Sequence, residues 1–312
     1  MKIFISIASY CDELLFFTLK DCFQKAKYKE SLIFAVVDQN EKSFKHEINN
    51  LSFATQIRYV YIHKLETFGV SWARNIVFSL FDNEDYLLQI DSHTLFEENW
   101  DEKLLEQYNT LLKISKKPIL STYPYDFQFN EKGEAVYKEN SRKWVLELRP
   151  HPDTLLKEDS AVLRFRAEHK LSDTAVHGCH IAAGFIFTSS IFIEEIPYDP
   201  YLYFHGEEQS LSIRAYTRGW DIYHPTWIPL YHHYKKSGTS YLSHHWHNSI
   251  SDKRALGAEY LKARAIKRIN RLFYGDGMIG SIYGLGNVRT LEEFINFSGI
   301  DYKNKTIQRL KL

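Results

Sequence analysis

The chain has 312 residues, 44% of them hydrophobic and 25% charged, and its Lys+Arg and Asp+Glu counts are both 39. That length suits one large domain or two small ones with a substantial core. A net charge of zero argues against a nucleic-acid binder, which normally carries a basic excess. Aromatic residues make up 15% of the chain; their faces can stack on sugar rings, although their ordinary place is the core. Cys11, Cys22 and Cys179 are odd in number and widely spaced. They form neither a disulfide framework nor a CxxC metal site, which fits a reducing compartment. The opening "MKIFISIASY" is too short an apolar run to span a bilayer and lacks a signal-cleavage pattern. The expected location is therefore the cytoplasm.

In chain order, Lys2–Tyr10 reads as a buried strand. "DELLFFTLKDCFQKA" then places Leu15, Leu19, Cys22, Phe23 and Ala26 on one helical face. "SLIFAVVDQN" and "RYVYIH" are further strands, "GVSWARNIVFSLF" is a loop entering a helix, and "DYLLQID" is a fourth strand. Alternating strands and helices, with strands apolar on both faces, predict an α/β fold around a mostly parallel sheet. Ligands in such sheets bind beyond the carboxyl ends of the strands. The polar strand ends Ser9–Asp12, Asp38–Asn40 and Asp91–His93 should therefore share one crevice. Residues 123–180 are polar and read as loop-rich. "HGCHIAAGFIFTSSIFI" restores a strand, and "FHGEEQSLSIRAYTRGWDIYHP" reads as loop, helix and short strand. "EYLKARAIKRINRLF" is an amphipathic helix with Leu261, Ala265, Ile269, Leu272 and Phe273 on one side. Its basic residues form a solvated face that could also rest on a membrane surface.

The junction "QIDSH" carries the chemistry. Asp91 offers a hard oxygen and His93 a nitrogen, with Ser92 between, a mixture that suits Mn²⁺ or a similar divalent ion better than Ca²⁺. An isolated D-x-H triplet is ordinarily a turn cap beside a surface histidine. This one ends a buried strand at the predicted crevice. A third ligand must come from far along the chain, and "PLYHHYKK" offers His232 and His233. The "SHHWH" cluster, with His244, His245 and His247, resembles a zinc site at first glance, but no carboxylate or cysteine accompanies it. Arg74 in "WARN" could meet a phosphate or hold the acidic strand ends. Glu207 and Glu208 follow a glycine. They could contact sugar hydroxyls or move a proton, or merely complement a helix dipole.

Taken together, "QIDSHTLFEENWD", "FHGEEQSLSIRAYTRGWDIYHP", "YHHY" and the tail "YGLGNVRTLEEFINFSGID" resemble the cytosolic GlcNAc-transferases that modify hydroxyproline, and more distantly the polypeptide GalNAc-transferases. The resemblance spans nearly the whole chain. It implies a GT-A, Rossmann-like fold in residues 1–250, with a nucleotide-sugar half over about 1–120 and an acceptor half over about 121–250. A helical C-terminal extension over 251–312 would follow. It also implies a retaining glycosyltransferase that uses a UDP-sugar, UDP-GlcNAc foremost, with Mn²⁺ or Mg²⁺, and a hydroxyl acceptor on protein or glycan. By the same resemblance Asp91, His93 and His232 would hold the metal, with His233 as the alternative to His232. Ser9, Asp38, Arg74, Asp91 and Ser92 would line the nucleotide side, and Glu207, with Glu208 less firmly matched, would face the donor sugar. Two other readings stand beside this one: a transferase of another UDP-hexose or hexosamine in bacterial surface-glycan synthesis, and an inactive sugar-nucleotide-binding protein.

Overall fold

The computed structural model describes residues 1–138, 143–234, 244–275 and 279–308. The first part runs β1 (Ile3–Tyr10), α1 (Leu15–Lys25), β2 (Leu32–Asn40), α2 (Lys45–Asn49), β3 (Ile57–His63), α3 (Val70–Phe78), β4 (Tyr86–Asp91), β5 (Thr94–Phe96), α4 (Trp100–Leu111) and β6 (Pro118–Ser121). There follow β7 (Tyr125–Phe129), β8 (Ala135–Tyr137), β9 (Trp144–Pro150), β10 (Phe165–Leu171), β11 (Val176–Gly178), β12 (Phe185–Ser189), α5 (Ile191–Glu195), α6 (Glu207–Thr217), β13 (Asp221–His224) and β14 (Leu230–His232). The chain continues through α7 (Asn248–Ser251), α8 (Ala258–Tyr274), α9 (Leu291–Ser298), β15 (Ile300–Asp301) and β16 (Thr306–Ile307).

The central sheet has the order β11-β13-β6-β12-β4-β1-β2-β3. The run β4-β1-β2-β3 is parallel, as is β6 with β13, whereas β12 lies antiparallel between β4 and β6. The sheet is thus mostly parallel, as expected, and the α/β class follows from strands that are apolar on both faces. Side chains alternate across it with period two. Ile3, Ile5, Ile7, Phe34 and Val36 join Leu15 and Leu19 of α1 and Leu104 of α4 in one core. Phe4, Ala35 and Val37 join Ala73 and Val77 of α3 and Leu211 and Ala215 of α6 in another. Each buried Ile, Leu, Val or Phe among them contributes roughly 1.5–3 kcal/mol relative to exposure. A smaller sheet, β5-β14-β7-β8, brings the end of β14 beside the turn after β4.

The stretch 123–180 differs from the loop-rich expectation: it contains β7, β9, β10 and β11. The β9–β10 ribbon pairs from Trp144–Leu171 to Pro150–Phe165. Along β10 the side chains of Arg166, Glu168 and Lys170 interrupt any apolar run, and no residue of that strand is buried. Only Phe165 and Ala167 of this strand pack, partly buried, against the cores, which leaves little hydrophobic pattern to read.

The C-terminal segment is not a free appendage. The predicted stripe Leu261, Ala265, Ile269, Leu272 and Phe273 is buried together with Leu163, Tyr203 and Ile213 from the preceding part of the chain. Flanking this stripe on α8, Arg268 Nε donates to Asp199 Oδ2 at 2.7 Å, and Arg264 and Arg268 both lie over the Tyr201 ring. Two of the basic residues are therefore engaged with the protein. Among the described residues no helix is long and apolar enough to cross a membrane.

Candidate active site

A cleft of about 620 Å³ opens at the carboxyl ends of β1, β2 and β4, and its wall includes Tyr10, Asp12, Gln39, Arg74, Asp91 and His93. The turn after β4 is fixed from outside the sheet. Thr18 of α1 donates through Oγ1 to the carbonyl of Ser92 at 2.9 Å, and the same oxygen accepts from the Thr94 amide at 2.9 Å. From β14, the His233 amide donates to the His93 carbonyl at 3.0 Å. These bonds hold the Asp-Ser-His turn and the end of β14 in register.

In that register Asp91, His93 and His232 converge, their ligand-type atoms all within 4.8 Å of one another. His232 Nε2 lies 3.1 Å from Asp91 Oδ2 and 3.0 Å from His93 Nε2. His93 Nδ1 is 2.6 Å from Asp12 Oδ2, which also accepts from Ser92 Oγ at 2.9 Å. A carboxylate can only accept, so it fixes the His93 proton on Nδ1 and leaves the Nε2 lone pair facing His232. One hard oxygen and two imidazole nitrogens with edges near 3 Å suit a divalent ion, since ligand bonds of about 2.1 Å give octahedral edges of roughly that length. Gly184 keeps this corner open: a Cβ there would sit 2.7 Å from Asp91 Oδ2. His233 is turned away, its ring packed against Phe127 and Phe129.

Arg74 of α3 is nearly fully buried and bridges two carboxylates. Nη2 donates to Asp91 Oδ1 at 2.7 Å and Nη1 to Glu207 Oε1 at 2.8 Å. Although burial alone would raise the Asp91 pKa, the hydrogen bond from His232 and the Arg74 guanidinium hold it well below the usual carboxylate range. Glu207 behaves oppositely: burial pushes it up to about 8 against the pull of Arg74, with the charges of Glu208 and Asp91 adding to the rise. Its Oε2 is buried with no hydrogen-bond partner among the described residues. Gly206, at φ +86°, makes the left-handed turn that starts α6 and places Glu207 in the cleft.

Glu208 is held by protein contacts. Tyr123 Oη donates to Oε2 at 2.8 Å, the Ala183 amide donates to Oε1 at 2.8 Å, and His180 Nε2 lies 3.5 Å from Oε2. Burial acts to raise its pKa, but His180 and these donors bring it below the ordinary glutamate value. Two expected nucleotide-side residues are not brought into the cleft wall. Asp38 is buried and accepts from Tyr59 Oη at 2.7 Å, and Ser9 is buried beside it in register. Their neighbours Gln39 and Tyr10 line the cleft.

A profile of the glycosyltransferase (GlcNAc) family matches residues 43–304. The chain belongs to that family. Among solved structures, this glycosyltransferase is similar to GalNAc-T7 crystallised with UDP, GalNAc and Mn²⁺, with a TM-score of 0.61 and 13% identity. The match covers 96% of this chain and 54% of that one, so the chain spans about half the length of that protein. The likeness establishes the GT-A glycosyltransferase fold. S. aureus TarS 1-349 in complex with UDP-GlcNAc is a weaker likeness, with a TM-score of 0.45 and 12% identity over 88% of this chain and 73% of that one. No curated protein matches the sequence.

The "SHHWH" histidines of this glycosyltransferase do not gather around a point. His245 is buried between Thr67 Oγ1 and Tyr203 Oη, each 2.8 Å away, His244 stacks on Trp246, and His247 pairs with Ser249. Several cleft residues escaped the sequence reading. Asp12 had a visible signal, a carboxylate at a strand end already expected to face the crevice. Tyr123 and His180, which hold Glu208, come from the stretch whose strands carry no regular pattern.

Proposed function

We propose that this glycosyltransferase transfers a sugar, GlcNAc foremost, from a UDP-sugar to a hydroxyl on a protein or glycan, with retention of anomeric configuration. The observation that carries the reading is the convergence of Asp91, His93 and His232 at the carboxyl end of β4, inside a cleft large enough for a nucleotide sugar. The crystallisation of GalNAc-T7 with UDP and Mn²⁺ agrees with it, as does the resemblance to hydroxyproline-modifying enzymes.

Asp91, His93 and His232 would hold Mn²⁺ or Mg²⁺, which when bound supplies a Lewis acid for the departing diphosphate. Asp12 orients His93 through its Nδ1 proton. Arg74 bridges Asp91 and Glu207, favours the ionised form of each and brings positive charge to the phosphate side of the cleft. Ser9 and Asp38 back the uridine side through the ends of β1 and β2. Glu207 faces the sugar; burial favours its protonated form at neutral pH, and it is in the ionised form, which Arg74 favours, that it would stabilise the positive charge growing at the anomeric carbon. In this reading Glu207 acts electrostatically and no protein nucleophile takes part. The acceptor hydroxyl then approaches on the face that UDP leaves, the C–O bond to UDP breaks as the new C–O bond forms, and the acceptor proton passes to the departing phosphate oxygen.

The test is UDP release from a panel of UDP-sugars with and without added Mn²⁺. The reading expects Mn²⁺-stimulated turnover, fastest with UDP-GlcNAc, and a loss of about 100-fold or more in Asp91→Ala and His232→Ala. Turnover in either variant close to that of the parent would refute the ligand assignment, and no release from any UDP-sugar would refute the function.

A further inference from the structure

We infer that a side cavity beside the donor cleft binds an anionic group on the acceptor, a phosphate or carboxylate carried by a saccharide. This rests on the donor and reaction proposed above and adds the chemistry of the second substrate.

The cavity measures about 320 Å³ and lies between the 153–164 segment and α8. Lys157, Arg164 and Lys262 line it, and among the described residues none of the three has a carboxylate within ion-pair distance. The one acidic residue in its wall, Asp153, lies 3.6 Å from His151, and the nearby Glu158 is paired with Lys305. Three cations against one wall carboxylate is a local excess in a chain whose net charge is zero. Arg164, Tyr203 and His205 belong to the walls of both the cavity and the donor cleft. A group held by the cations therefore sits next to the site of transfer.

Arginine offers a planar fork and lysine a compact charge, the combination that suits phosphate and carboxylate oxygens. Val162, Ala265 and Ile266 close the floor with apolar surface. The volume is at the low end of small-ligand sites, which fits one compact charged group on a sugar better than an extended acidic peptide.

The test uses galactose 6-phosphate, galacturonic acid, galactose and an acidic serine peptide. Each is titrated calorimetrically into the full chain and supplied in a UDP-release assay, with donor hydrolysis in the absence of acceptor measured alongside. The expectation is that at least one anionic sugar binds about tenfold or more tighter than galactose. The preference should disappear in the Lys157→Ala/Lys262→Ala double variant, and the ratio of transfer to hydrolysis should fall with it. Both lysines are exposed, so their removal does not threaten the fold. The phosphate and carboxylate arms tell which anion is taken. Equal binding of charged and neutral sugars, a preference unchanged in the double variant, or a preference for the peptide alone would overturn the inference. Lysine-dependent binding without any turnover of UDP-sugars would instead refute the proposed reaction and leave the anion site standing.

Discussion

Asp12 illustrates how much of the site depends on residues one step removed from it. Its carboxylate fixes the proton of His93 on Nδ1 and also accepts from Ser92 Oγ. Carboxylate partners of metal-binding histidines typically contribute 10–100-fold in metal affinity. Asp12→Ala should therefore weaken Mn²⁺ binding by roughly that factor while leaving the circular dichroism spectrum unchanged, and an Mn²⁺ titration followed by electron paramagnetic resonance reads it. Glu207 gives a second prediction at this scale. Glu207→Gln keeps an acceptor for Arg74 and removes the ability to ionise on the donor-sugar side. It should lower kcat by roughly one to three decades with little change in UDP affinity. Loss of UDP binding in that variant would move Glu207 into the nucleotide site. The Asp-x-His triplet and the Gly-Glu turn were legible in the sequence because each sits where an apolar pattern stops. The preference for His232 over His233 rested on the resemblance alone, because adjacent residues in a strand point to opposite faces and only the register of β14 against β5 decides which ring meets Asp91 and His93.

Elements follow the same division. The strands β1, β2, β3 and β4 and the helices α1, α3, α6 and α8 announce themselves through apolar runs or helical stripes, and the fold places each as its pattern requires. The β9–β10 ribbon does not, since no residue of its second strand is fully buried. The C-terminal helix shows what the stripe alone conceals. Ile269 of α8 packs on the Gly206 turn so closely that a Cβ on Gly206 would lie 2.6 Å from Ile269 Cγ1. The helix thus buttresses the turn that positions Glu207. Gly206→Ala, strained both by that contact and by its positive φ, should lower kcat. Ile269→Ala should destabilise the protein by about 2–5 kcal/mol, measured by urea denaturation. A chain ending at residue 250 would expose the shared core and should fail to fold cooperatively. A truncated protein with an intact melting transition would contradict this view of the extension.

Across the whole molecule, two buried histidines make stability depend on pH. Burial holds His224 down to about 4, and His245 down to about 3 with Arg254 assisting. Both are neutral in the folded state and take up a proton on unfolding at an ordinary value near 6.5. The unfolded chain therefore binds more protons between pH 6.5 and 4, and stability must fall as pH drops through that window. His224 alone accounts for on the order of 3 kcal/mol. The melting temperature should decline steadily from pH 7 to pH 4.5, and a flat profile would show that these rings are protonated in the folded state. The neutral net charge gave no hint of the cationic cavity, because composition averages over the surface and only the fold brings Lys157, Arg164 and Lys262 to one opening.

The central claim is that Asp91, His93 and His232 form one metal site serving a UDP-sugar. The most direct test is an Mn²⁺ titration in the presence of UDP, on the parent chain and on Asp91→Ala and His232→Ala. The account predicts one Mn²⁺ per chain in the parent, tightened by UDP, with affinity reduced at least about tenfold in each variant. Undiminished binding in both variants would contradict it.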